Sequence, residues 1–144
     1  MTARRERPQA GGVTGEDVVR GAYTALNAGD VQAALGFLAP DVEWVQDPNS
    51  KFERGTFRGR ERVTRYWRRW LEAFDDFHLE PERLVDVPDG RILVFSTFTA
   101  TGSESGLSVE FRIAHIFTLR QAGIAHVRAY LERDEAMRDA GLAG

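Results

Sequence analysis

Apolar residues recur at every third or fourth position in three stretches of the first half of the chain, and this spacing predicts amphipathic helices. The first helix begins after Thr14, whose side chain can cap it, and ends at Gly29, which can adopt the left-handed conformation of a helix C-terminus. A second, short helix follows Asp30 and stops at Pro40. The third helix spans about 60–75 and carries a wide apolar stripe. This stripe consists of Val63, Tyr66, Trp67, Trp70, Leu71 and Phe74.

The period of the pattern changes to two elsewhere, which predicts β-strands. A short strand, Val42 to Gln46, precedes the third helix. Four longer strands follow that helix, at about 78–87, 91–101, 108–119 and 123–131, and a short amphipathic helix covers 132–142. The connections at 88–90 and 121–123 contain the Asp, Gly and Pro residues that favour tight hairpin turns.

Helices followed by a run of long strands indicate an α+β fold, with the helices on one face of an antiparallel sheet. The strand over 108–119 has a strongly apolar face, which we expect to meet the helices: Val109, Phe111, Ile113, His115, Phe117 and Leu119. Its other face mixes polar and apolar residues, as does the corresponding face of the last strand. A mixed surface of this kind is typical of a subunit contact, so we predict a homodimer that pairs through the outer sheet face.

Composition excludes several classes of function. The 144 residues suit one domain, predicted over 14–144, with a flexible N-terminal arm over 1–13. The net charge of −3 argues against nucleic acid as a partner, and no apolar run approaches the ~18 residues of a membrane span. The chain has no Cys, and its three His are too scattered to predict a metal site. We expect a cytoplasmic protein that uses no cofactor.

Three residues are the candidates for chemistry. Asp47 ends the first strand, just before Pro48, where it can serve as a base in an apolar pocket or merely cap the turn. His115 is the only ionisable residue on its inward face, and it suits either acid–base chemistry or a hydrogen bond within the core. Tyr23 faces inward on the first helix, and its hydroxyl either enters the pocket or is satisfied by packing nearby.

A second set of residues is predicted to line the pocket. Trp67 and Trp70 lie on the inward stripe of the third helix, where they form either core or a platform for a ligand. Phe95 and Thr97 line the pocket if their phase of the strand over 91–101 faces inward, but the opposite phase is nearly as apolar. The remaining predicted contacts are inward-facing residues of the last two strands, Phe111, Ile113 and Val127.

Several segments resemble the nuclear transport factor 2-like superfamily. They are residues 22–30 (AYTALNAGD), 37–41 (FLAPD), 47–48 (DP) and 59–61 (GRE). Residues 127–136 (VRAYLERDEA) and 140–142 (AGL) resemble its SnoaL-like branch. The resemblance covers about residues 16–142 and implies a cystatin-like α+β roll. In such a roll, N-terminal helices wrap a curved sheet into a cone around a deep apolar pocket, usually in a dimer.

The resemblance extends to ketosteroid isomerases in the first half of the chain. Asp47 matches their base, which precedes a proline at the end of the first strand, with one extra residue before it. Tyr23 lies one residue from the position of their oxyanion tyrosine. His115 replaces their second, protonated carboxyl, and a neutral imidazole can donate a hydrogen bond there.

These observations predict a pocket for a small apolar organic ligand. The leading hypothesis is a cofactor-independent isomerase or cyclase that transfers a proton on an apolar, carbonyl-bearing compound, with Asp47 as base and His115 and Tyr23 on the enolate oxygen. One alternative is a ligand-binding or dimeric interaction module without catalysis. A further alternative is a dehydratase or hydrolase that activates a water between Asp47 and His115.

Overall fold

The structure of the protein is a computed structural model that describes residues 14–50, 52, 54–121 and 123–142. The predicted arm over 1–13 lies outside these residues. The helices are α1 (Gly15–Asn27), α2 (Val31–Leu35), α3 (Arg60–Ala73) and α4 (Arg133–Asp139). The strands are β1 (Leu38–Gln46), β2 (Gly55–Arg58), β3 (Phe74–Val87), β4 (Arg91–Gly102), β5 (Ser108–Arg120) and β6 (Gly123–Tyr130).

The first helix begins and ends where the sequence predicts. The Thr14 hydroxyl accepts a hydrogen bond from the Asp17 amide, and the Asp17 carboxylate accepts one from the Thr14 amide, which together form a capping box. Gly29 has φ +74, the left-handed conformation that ends the helix. Asp30 then caps α2 through a hydrogen bond from the Ala33 amide. The start of each helix is therefore determined by local side-chain chemistry.

The six strands form one curved, unclosed sheet in the order β2-β1-β6-β5-β4-β3. Helices α1, α2 and α3 cover its concave face, which confirms the α+β class. The prediction of an antiparallel sheet was incomplete, because β1 and β6 pair in parallel. These two strands lie far apart in sequence, so the rest of the fold forms the crossover that a parallel pair requires.

Two strands begin earlier than the apolar pattern indicates. β1 begins at Leu38, so Pro40 lies inside a strand instead of ending a helix, and α2 stops at Leu35. β3 begins at Phe74, directly after α3, and not at His78. Leu38 also fits the helical spacing of the preceding residues, and the polar Asp75 and Asp76 obscure the period of two at the start of β3.

The main core lies between the helices and the concave face. It combines the apolar stripes of α1 and α3 with the inward faces of the strands, and the inward face predicted for β5 is confirmed. Phe117 lies at the centre of this core, where it is 2% exposed. Its ring meets the ring of Tyr23 edge-on, with the two ring centres 5.7 Å apart.

A second apolar cluster lies on the outer face of the sheet, under α4. Leu93 and Phe95 of β4 and Ala114 and Ile116 of β5 pack there against Ala136 of α4. The apolar residues that suggested a subunit contact are thus partly covered by a helix of the same chain. Pairing of two copies through the outer face stays a prediction. No helix in the described part of the chain is both long and apolar enough to cross a membrane.

The contact between β6 and the start of β1 gives a test of the fold. Gly123 has φ +146, and a methyl group added there would lie 2.6 Å from the backbone oxygen of Phe37. We expect Gly123→Ala to lower the free energy of unfolding by more than about 2 kcal/mol, through backbone strain and overlap with a fixed carbonyl. Urea denaturation measures this loss.

Gly106→Ala is the matched control. Gly106 also has positive φ, at +71, but open space surrounds its side-chain position. Its substitution should cost only the conformational strain, about 1 kcal/mol. Equal losses in the two variants would contradict the assigned approach of β6 to β1.

Candidate functional site

An inner cavity lies between the helices and the concave face of the sheet. Its volume is about 50 Å³, counted as the space that the centres of water molecules can occupy. A water needs roughly 10–15 Å³ by this measure, so the cavity has room for a few waters. Its walls are mainly aromatic and aliphatic: Leu26, Trp44, Gln46, Tyr66, Trp67, Trp70, Leu71, Phe77, Leu79, Phe98, Phe111, Ile113 and His115.

His115 and Tyr23 form a polar pair at the wall of the inner cavity. His115 is 3% exposed and lines the cavity from β5, and Tyr23 reaches it from α1. The Tyr23 hydroxyl and His115 Nδ1 are 3.1 Å apart, a hydrogen-bonding distance. His115 Nε2 has no hydrogen-bond partner among the described residues. This second ring nitrogen is therefore available to a molecule in the cavity.

Burial fixes the protonation of this pair. It lowers the pKa of His115 from its ordinary 6.5 to about 4, so the imidazole is neutral at pH 7. Burial also raises the pKa of the Tyr23 hydroxyl, an effect that the nearby Ser96 hydroxyl offsets only in part. A protonated tyrosine can donate its hydrogen to Nδ1 of a neutral imidazole. In that tautomer the ring proton of His115 resides on Nε2, which makes Nε2 a hydrogen-bond donor.

The cavity wall contains further donors that lack acceptors. The chain has three tryptophans, and all of them line the inner cavity. The Nε1 atoms of Trp44, Trp67 and Trp70 are buried without a hydrogen-bond partner among the described residues. A buried donor without an acceptor costs about 1–3 kcal/mol. No carboxylate lines the inner cavity within the described ranges. The indole nitrogens are enclosed by protein atoms, so the surface that the wall offers to a ligand is mainly apolar.

A larger apolar opening adjoins the inner cavity. This vestibule has a volume of about 660 Å³ and is lined by Gln46, Ser50, Phe52, Trp70, Phe74, Val109, Phe111, Arg112 and Leu131. Gln46, Trp70 and Phe111 line both spaces and form the boundary between them. The Gln46 amide is held there, because its oxygen accepts from the Tyr66 hydroxyl at 2.8 Å and its nitrogen donates to Ser50 Oγ at 3.3 Å.

Asp47 does not line the inner cavity. Its side chain is buried beneath the following turn, where Oδ1 accepts the Asn49 amide at 2.8 Å. Oδ2 accepts the Leu131 amide at 2.7 Å and so connects the end of β1 to the residue after β6. The structure thus does not bring Asp47 together with His115 and Tyr23. The contact with Asn49 matches the alternative in which Asp47 caps the turn. The sequence did not predict the hydrogen bond to Leu131.

The family is identified by the sequence match. Residues 19–127 match the model of the SnoaL-like domain. The chain belongs to the SnoaL-like domain family. No protein of curated function matches the sequence.

Solved structures share the fold of this SnoaL-like domain. An NTF2-like protein of unknown function from Burkholderia pseudomallei has a TM-score of 0.73 at 24% identity, over 86% of this chain and 95% of that one. A candidate polyketide cyclase from Xanthomonas campestris has a TM-score of 0.71 at 20% identity, over 88% and 96%. A hypothetical protein with a ketosteroid isomerase-like fold from Catenulispora acidiphila has a TM-score of 0.71 at 16% identity, over 90% and 95%.

Most of the predicted lining residues lie at the cavity of the SnoaL-like domain. Trp67 and Trp70 of α3 and Phe111 and Ile113 of β5 line it. Val127 is fully buried in the main core, beside Trp44 in the strand pairing, but it does not line the cavity. Whether these side chains contact a ligand stays a prediction.

The prediction for Phe95 and Thr97 was wrong. Residues directly opposite in an antiparallel pair share a face, and His115 pairs with Val94. Val94 and its phase therefore face inward, whereas Phe95 and Thr97 face outward. Phe95 packs in the outer cluster, with the Arg133 guanidinium 4.1 Å from the centre of its ring.

Several residues that line the cavity were not among the predicted site residues. Trp44 and Gln46 follow Val42 in strict alternation on β1, so the period of two already placed both on one face. Phe98 could not be placed in this way, because both phases of β4 are apolar. No group of three or more metal-binding side chains occurs within the described part of the chain.

The contacts of Asp47 predict a role in stability. In Asp47→Asn, one of the two carboxylate oxygens that accept a backbone amide is replaced by an NH₂ group, which cannot accept that hydrogen bond. We expect the free energy of unfolding to fall by about 2 kcal/mol, because a buried amide loses its acceptor. Urea denaturation measures the change. Asp41→Asn is the control, since Asp41 forms an exposed ion pair with Arg120 and should matter much less. Equal effects would contradict the assigned role.

Burial of His115 predicts a pH dependence of stability. Between pH 6.5 and about 4 the unfolded chain binds a proton at this residue and the folded chain does not, so acidification favours unfolding. From pH 7 to pH 4 this residue should lower the free energy of unfolding by about 3 kcal/mol.

The measurement compares wild type with His115→Gln by urea denaturation across this pH range. The glutamine cannot titrate, so the variant should lose about 3 kcal/mol less than the wild type. Carboxylates contribute equally to both proteins and cancel in the difference. Parallel pH profiles would show that His115 is not buried as a neutral group.

Proposed function

We propose that this SnoaL-like domain binds a small apolar ring compound and places an oxygen of that compound at Nε2 of His115. The observation that carries the proposal is the Tyr23–His115 pair. A hydrogen-bond donor, oriented by a second buried hydroxyl, faces an otherwise apolar cavity. Small-molecule sites commonly combine apolar walls with a few polar groups placed to orient the ligand.

The chemistry of the wall selects the kind of ligand. A neutral imidazole with its proton on Nε2 is a donor, so a carbonyl or similar acceptor oxygen is the complementary group. A hydrocarbon would leave this donor unpaired. An anionic ligand head would also have to be desolvated opposite uncharged donors, so a neutral carbonyl fits the inner cavity better.

The catalytic form of the proposal is isomerase or cyclase chemistry. In such reactions negative charge develops on a carbonyl oxygen, and a fixed donor such as His115 Nε2–H stabilises that charge. The fold shared with a candidate polyketide cyclase supports this class without assigning the reaction. The proposal assigns this polar role to His115 and leaves Asp47 out of the proton transfer, because both Asp47 oxygens accept backbone amides.

Ligand binding without catalysis is the second candidate. The absence of a carboxylate among the described lining residues favours it, since no strong base faces the cavity. The small volume of the inner cavity also means that any ring compound must displace side chains at the boundary with the vestibule. Rotamer changes of this kind are common at binding sites.

Binding of 1-tetralone and of the hydrocarbon tetralin tests the proposal. The two molecules have the same ring skeleton, but only tetralone has an acceptor oxygen. Tryptophan fluorescence reports entry, because all three tryptophans line the cavity. We expect His115→Leu to weaken tetralone about fivefold, the value of one hydrogen bond, and to change tetralin less than twofold.

Two further variants make this test specific. Tyr23→Phe keeps the ring but removes the hydroxyl that orients His115, and it should weaken tetralone by a smaller factor. His126→Leu is the matched control, because His126 faces outward beside Glu43 and does not line the cavity. If tetralone binds no better to wild type than to His115→Leu, the assigned contact is wrong.

A further inference from the structure

Arg112 occupies a special position in the vestibule. It is the only charged side chain among the described residues that line this space. Its guanidinium forms no ion pair, hydrogen bond or ring contact with the rest of the described chain. Glu82 and Arg112 also line a second pocket, on the outer sheet face, but they form no ion pair. Within the described residues, Arg112 is thus an unpaired cation at an apolar opening.

The topology of the sheet explains how Arg112 reaches the vestibule. Arg112 alternates with the inward residues of β5 and is directed to the outer face. However, β6 ends at Tyr130, which pairs with Ala114, so no strand lies beside Arg112 on that side. Its long side chain therefore lies at an uncovered edge of β5 and lines spaces on both faces.

The positions of Arg112 and His115 set the spacing of the two polar groups. They are three residues apart on one strand, which corresponds to about 10 Å along the backbone. The boundary residues Gln46, Trp70 and Phe111 lie between the two spaces. The site thus has a polar residue at each end, and Trp70 and Phe111 supply an apolar surface between them.

We infer that the ligand of this site is an amphipathic keto acid, with its carbonyl oxygen at His115 and its carboxylate at Arg112. Guanidinium binds carboxylate through two parallel hydrogen bonds, and the solvated mouth lets the carboxylate keep part of its hydration. The apolar boundary accommodates the ring between the two polar groups. This inference rests on the proposed function and specifies its substrate class.

The test uses 4-(4-acetylphenyl)butanoate and its methyl ester. Both have a ketone at one end of an aromatic ring, and only the first has a charge at the other end. Affinities are measured by tryptophan fluorescence at low ionic strength. We expect Arg112→Gln to weaken the acid about tenfold and the ester less than twofold, because the ester makes no ion pair. The effect on the acid should shrink as salt is added.

Matched variants separate the charge from its position. Arg112→Lys should retain part of the preference for the acid, because it keeps the charge without the planar fork. Arg128→Gln should change neither ligand, since Arg128 stacks on Tyr130 at the outer face and does not line the vestibule. If Arg112→Gln weakens acid and ester equally, or neither, Arg112 does not bind the carboxylate.

His115→Leu distinguishes this inference from the function on which it rests. It should weaken acid and ester alike while preserving the sensitivity of the acid to Arg112→Gln. If His115→Leu weakens neither ligand while Arg112→Gln still weakens the acid, the contact at His115 is wrong. If His115→Leu weakens both ligands while Arg112→Gln does not weaken the acid, the role of Arg112 is wrong. If the wild type binds neither ligand, both the proposed function and this inference are wrong.

Discussion

The alternation of side chains along β5 is the constraint on which the site depends. Successive residues of a strand face opposite sides of the sheet, so His115 can enter the cavity only if Ala114 and Ile116 face outward. Those two apolar side chains then need cover, and α4 supplies it. The alternation along β5 therefore explains both the polar group in the inner cavity and the packing of α4 on the outer face.

Three indole N–H groups are buried in the residues that form the wall of the inner cavity. A buried polar group stabilises a protein only when it is paired, and the Nε1 atoms of Trp44, Trp67 and Trp70 are not. Close packing of the aromatic rings offsets this cost, as in the edge-on contact of Trp44 with Trp67, whose ring centres are 5.7 Å apart. The tryptophans thus supply the packing of the cavity wall.

The sequence predicts the inward face of a strand only where the two faces differ in polarity. β5 has charged residues on one face, so the position of His115 followed from the pattern alone. Both faces of β4 are covered, one by the main core and the other by α4, and both are apolar. Phe95 and Val94 cannot be distinguished by period there, and only the register against β5 decides between them. A local sequence pattern does not show which face of a strand will be covered by distant segments of the chain.

Asp47 shows the same limit in its chemistry. The sequence places an acid before a proline at the end of a strand, and both a base and a turn cap satisfy that description. A base must offer a lone pair to its substrate, whereas a cap directs it to backbone amides. The partner that decides the matter, the Leu131 amide, lies 84 residues away. Leu131 lines the vestibule together with Arg112, so Asp47 contributes to the site by fixing one wall of its entrance.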